Sequence, residues 1–148
     1  MIFYYAPEEQ AQWEPGAYAA VDKALALDPD LAEAHIARGQ LLWTPSNGFP
    51  HEKAIREFRR ALALKPNSSD AHAWLAAVYN HVGLLEEALG HAGRARAIDP
   101  TFRGAWTQEM LTLVNLGRYE DAQSLWQGIP QSGPAVSTPV EYSPVFAG

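Results

Sequence analysis

The sequence predicts an all-α chain built from stacked helix pairs. Three observations predict it: a block recurring at fixed intervals, apolar residues at three- and four-residue steps inside each block, and a proline or glycine where each helix must stop. Ala24-Leu25-Ala26-Leu27-Asp28-Pro29, Ala61-Leu62-Ala63-Leu64-Lys65-Pro66 and Ala95-Arg96-Ala97-Ile98-Asp99-Pro100 align, with their prolines 37 and 34 residues apart. Ala34-His35, Ala71-His72 and Ala105-Trp106 return the same two intervals. Ala54, Ala88 and Ala122 lie 34 and 34 apart, followed four residues later by Phe58, Ala92 and Trp126. Independent positions sharing one period are the signature of a repeat array.

Helices are expected over residues 16–27, 31–43, 51–64, 69–81, 85–98, 102–115 and 119–127. The first starts behind Pro15, because proline suits a first helical turn. Residues 7–13 are short and follow the pattern poorly, so the first unit is partial. The second helix follows Asp28-Pro29, a pair that cannot continue a helix. Between it and the third lies Thr44-Pro45-Ser46-Asn47-Gly48-Phe49-Pro50, an enlarged turn carrying three extra residues. Ala54, Phe58 and Ala61 mark one face of the third helix, and Ala71, Trp74, Leu75, Val78, Tyr79 and Val82 one face of the fourth. Gly83 separates the fourth from the fifth where a left-handed helix stop favours glycine, and Gly117 repeats this before the seventh. Gly128 and Pro130 end the last helix.

The unit Leu75-Ala76-x2-Tyr79-x3-Gly83-x4-Ala88-x6-Ala95-x4-Pro100 resembles the 34-residue pattern of the tetratricopeptide repeat (TPR) family. Two slots depart from it: Trp74 lies two places after the usual aromatic position, which His72 fills, and Ala92 replaces a bulky aromatic. The resemblance implies a right-handed TPR solenoid of antiparallel helix pairs with about three and a half repeats. It divides the chain into a TPR domain over 1–129 (a partial repeat 1–31, then repeats 32–68, 69–102 and 103–129) and an irregular tail over 130–148 rich in Pro, Gly and Ser.

Composition narrows the function. A net charge of −6 disfavours nucleic acid and anionic lipid, both of which need a basic surface. The absence of cysteine removes disulfides, thiolate metal sites and cysteine nucleophiles. No apolar run approaches the roughly 18 residues of a membrane span, and no signal-peptide pattern opens the chain, so a cytoplasmic protein is expected. The five histidines, His35, His51, His72, His81 and His91, show no metal-ligand spacing; His35 and His72 fill equivalent packing slots. Glu86-Glu87 and Glu120-Asp121 open helices, where negative charge complements the helix dipole. No serine sits in a nucleophile elbow or phosphate loop. No cofactor, metal or catalytic residue is expected, and the chain reads as a non-enzyme.

In a TPR array the first helix of each pair lines the inner groove. The resemblance thereby assigns a peptide-binding groove to Ile36, Gln40, Trp43, Ala73, Trp74, Ala77, Asn80, His81, Thr107, Gln108, Leu111 and Asn115. One TPR class grips a C-terminal carboxylate with Lys, Arg and Asn. Here those slots hold Ile36, Gln40, Trp74, Gly104 and Gln108, which supply no cation for a charge-assisted bond. A mostly apolar groove with aromatic anchors suits an extended or helical segment of a protein partner. The rival readings are a self-assembling unit and, in a different class, an enzyme using Trp43, Trp74, Asn80 and His81. In the tail, Val136, Val140, Tyr142, Val145 and Phe146 are expected to find contacts on the last helix pair or on a neighbouring molecule.

Overall fold

The computed structural model describes residues 7–129. The expectations for the tail fall on residues 130–148 and lie outside them. Among the described residues there are seven α-helices and no strand: α1 Pro7–Leu27, α2 Ala32–Leu42, α3 His51–Leu64, α4 Ser69–His81, α5 Leu85–Ile98, α6 Arg103–Asn115 and α7 Tyr119–Gln127. Each helix packs on its sequence neighbours, α4 also packs on α6, and α2 touches α4. This is an all-α solenoid in which α2, α4 and α6 are the first helices of successive pairs.

The alanine slots explain how the pairs close. Ala54 and Ala88 are fully buried and Ala122 is 5% exposed, so the same repeat position supplies the close contact in every pair. Between α2 and α3 the approach is closer still: a Cβ on Gly39 would lie 2.5 Å from Cε1 of Phe58. The turns reuse one geometry. Gly83 and Gly117 take φ values of 83° and 74°, and the residue after each, Leu84 and Arg118, donates its backbone N–H to Tyr79 and Leu113.

A second recurrence ties each loop to the helix that follows. His35 Nε2 bonds the carbonyl of Pro29 at 2.9 Å and Trp106 Nε1 donates to the carbonyl of Pro100 at 2.8 Å, while the Pro66 carbonyl acts on His72 in the equivalent place. The three rings occupy the same repeat slot, six residues after the loop proline. The histidines expected to be structural are structural, and the bond explains why a ring N–H stands there.

The first helix departs from expectation. It does not begin behind Pro15 but runs through it as a single 21-residue helix. Pro15 is exposed, so the backbone bond it forfeits lies towards water. Glu14 and Tyr18, on either side of it, are held by Asn47, whose two amide N–H groups are shared among Glu14 Oε1, the Tyr18 hydroxyl, the Leu41 carbonyl and Thr44 Oγ1 at 2.9–3.1 Å. The enlarged turn, a 3-10 turn over Pro45–Asn47, thus clamps α1 onto α2.

Candidate functional site

The inner-face helices bring the expected groove residues together to different degrees. Gln40, Trp43, Trp74, Ala77, Asn80 and Gln108 are half-buried, and His81, Thr107, Leu111 and Asn115 are exposed. Ile36 and Ala73 are buried. Ile36 joins the core around Phe58, and Ala73 packs with Ala95 and Ala105, so neither presents its side chain at the surface. Asn80 donates to Thr112 Oγ1 at 2.9 Å and accepts from the Asn115 amide at 2.6 Å, which fixes the spacing of α4 against α6. Thr107 donates its hydroxyl to Arg103 within its own helix.

At the C-terminal ends of α2 and α4 the residues converge on an aromatic cluster. The Trp43 ring meets Trp74 at 6.3 Å, His81 at 5.5 Å and Phe49 at 5.5 Å, each near edge-to-face. His81 lies 5.0 Å from both Phe49 and His51. Trp74 stacks its ring on Phe58 at 6.0 Å, which roots the cluster in the core. The Trp43 indole donates to His51 Nδ1 at 2.9 Å, so His51 holds its own proton on Nε2 and is neutral. Burial, and then the neighbouring His81, lowers the His51 pKa below its usual range.

Phe49 and His51 were not assigned to the groove from sequence. Phe49 takes a φ of 50°, which costs a non-glycine residue roughly 1–2 kcal/mol. The three extra residues between α2 and α3 swing this segment back over the end of α2. The signal was present as an excess over the 34-residue period bracketed by two rings.

A second imidazole pair lies between α4 and α5, away from this cluster. His72 Nδ1 and His91 Nδ1 are 2.8 Å apart, so one ring donates to the other. Burial is the main cause that lowers both pKa values, and for His91 the neighbouring His72, Arg59 and Arg94 add to it. The unfolded chain therefore takes up these protons first. Stability is full above pH about 6.5 and falls as the pH drops below that value through the folded pKa values. The melting temperature is expected to decrease between pH 7.5 and pH 5, and the double variant His72→Gln/His91→Gln is expected to flatten that slope. An unchanged slope would show that the pair does not control it.

Among the described residues no group of three His, Cys, Asp or Glu side chains is arranged to hold a metal, and no helix is long and apolar enough to cross a membrane.

Comparison with known proteins agrees with the repeat geometry. A tetratricopeptide repeat family model matches residues 57–90. The small glutamine-rich tetratricopeptide repeat-containing protein 2 of Mycosarcoma maydis is 32% identical over 74 residues, 50% of this chain and 21% of that protein. The chain spans about a fifth of the length of the curated relatives it matches. The crystal structure of MamA superposes with a TM-score of 0.65 at 19% identity, covering 85% of this chain and 73% of that one. The second TPR of Spaghetti (RPAP3), bound to the HSP90 peptide SRMEEVD, gives 0.60 at 20% identity over 69% and 93% of the two chains. Period, helix pairing, family model and shared fold together make this chain a tetratricopeptide-repeat protein.

Proposed function

We propose that the chain is a non-catalytic protein-binding module whose inner groove takes an apolar segment of a partner protein. One observation carries the reading. The groove face exposes apolar surface, with Leu111 42% exposed and the Trp43 and Trp74 rings half-exposed, while the slots that would grip a terminal carboxylate hold Ile36, Gln40, Trp74, Gly104 and Gln108. Half-exposed aromatic rings beside aliphatic side chains are the usual anchors of a protein interface. The Spaghetti domain binds SRMEEVD, a peptide with three acidic side chains. In this chain no lysine or arginine stands in the matching slots to pair with them.

Calorimetric titration of the full chain tests this. A neutral, leucine-rich peptide is expected to bind and SRMEEVD to bind at least about tenfold more weakly, the difference set by missing charge-assisted bonds. Leu111→Asp is expected to weaken the apolar peptide. Tighter binding of SRMEEVD would refute the reading.

A second reading, self-assembly, is favoured by the end of the stack. Trp126 is 58% exposed whereas its equivalents Phe58 and Ala92 are fully buried, and Val114 is 41% exposed. Light scattering across a concentration series distinguishes a self-associating chain from a monomeric adaptor.

A further inference from the structure

We propose that the aromatic end of the groove, formed by Trp43, Phe49, Trp74 and His81, is a subsite for one basic side chain, best an arginine, of the segment bound there. This rests on the groove reading above and adds the chemistry of one position within it.

The argument starts from fields. α2 ends at Leu42 with Trp43 as its C-cap, and α4 ends at His81. As first helices of successive pairs they run in the same direction, so two negative helix ends point towards the cluster, and such ends favour a cation. The rings add their negative faces, which attract a guanidinium or ammonium group within about 6 Å. The His51 imidazole does not oppose it. His51 is fixed as a neutral acceptor by the Trp43 indole, and its low pKa keeps it so at neutral pH.

The rest of the groove points the same way. At its other end Glu33 is paired with Lys65 at 2.8 Å, and Asp70 also acts on Lys65, leaving one carboxylate in excess. The whole chain carries −6. Elsewhere in the molecule the same pairing is already made internally, with Arg96 5.0 Å above the Trp106 ring. A strained backbone at Phe49 brings one of the four rings into place. A partner segment with an arginine among apolar residues therefore fits both the charge and the surface, whereas an acidic one fits neither.

The test compares two leucine-rich peptides identical except for one central residue, arginine in one and its neutral isostere citrulline in the other. Both are titrated into the full chain by calorimetry at pH 7.5. The arginine peptide is expected to bind about three- to tenfold more tightly. Trp43→Leu should bring the two affinities together. Phe49→Leu, which leaves the indole–His51 bond in place, should narrow the gap as well and serves if the Trp43 variant fails to fold. Equal affinities in the unmodified chain would overturn the subsite while leaving the groove intact, provided Leu111→Asp weakens both peptides. Binding of neither peptide at millimolar concentration would overturn subsite and groove together.

Discussion

Phe58→Ala is expected to remove about 3–5 kcal/mol of stability, the largest loss of any single truncation in this chain. The side chain is fully buried. It lies under Gly39 of α2 on one side and stacks on Trp74 of α4 on the other, so it belongs to the interface within one helix pair and to that between two. Gly39 cannot relax into the gap without moving the α2 backbone, so the cavity stays open. Trp126→Ala is the matched control. It changes the same repeat slot, but Trp126 is 58% exposed, and its loss is expected to stay below about 1.5 kcal/mol. Urea midpoints for the two variants decide the matter; equal shifts would mean that the slot, and not the burial, sets the cost.

Arg96→Met is expected to cost about 2–4 kcal/mol, somewhat less than a fully buried pair because the Arg96 side chain is 36% exposed. Arg96 donates Nε and Nη2 to the two oxygens of Glu109 at 2.5 and 3.1 Å and lies over Trp106, joining α5 to α6. Glu109 is itself 9% exposed, so removing the arginine leaves a carboxylate shielded from water with no counter-charge. The double variant Arg96→Met/Glu109→Leu should recover most of the loss, because both charges then leave together. A double variant as unstable as the single one would show that the arginine acts by packing alone.

The helices were legible because their signal is periodic. From α3 onwards every boundary falls within one residue of that expected, since Asp-Pro and the left-handed glycines stop the chain chemically. Pro15 misled because a proline inside a helix weakens it without having to end it, and α1 runs through this one. The candidate groove was legible as a set of slots but not as a surface. The family resemblance assigned Ile36 and Ala73 to the groove face, and packing shows both buried. Phe49 and His51 escaped because no repeat slot exists for an inserted residue. Arg96 and Glu109 escaped because their meeting depends on how two adjacent pairs stack.

The bond from ring to loop proline has a consequence for how this chain is spelled. The position six residues after Pro29, Pro66 and Pro100 holds His35, His72 and Trp106, and two of these rings bond the proline carbonyl before them. Phenylalanine would fill the same volume and leave the proline carbonyl without its donor. In this chain the slot is filled each time by histidine or tryptophan.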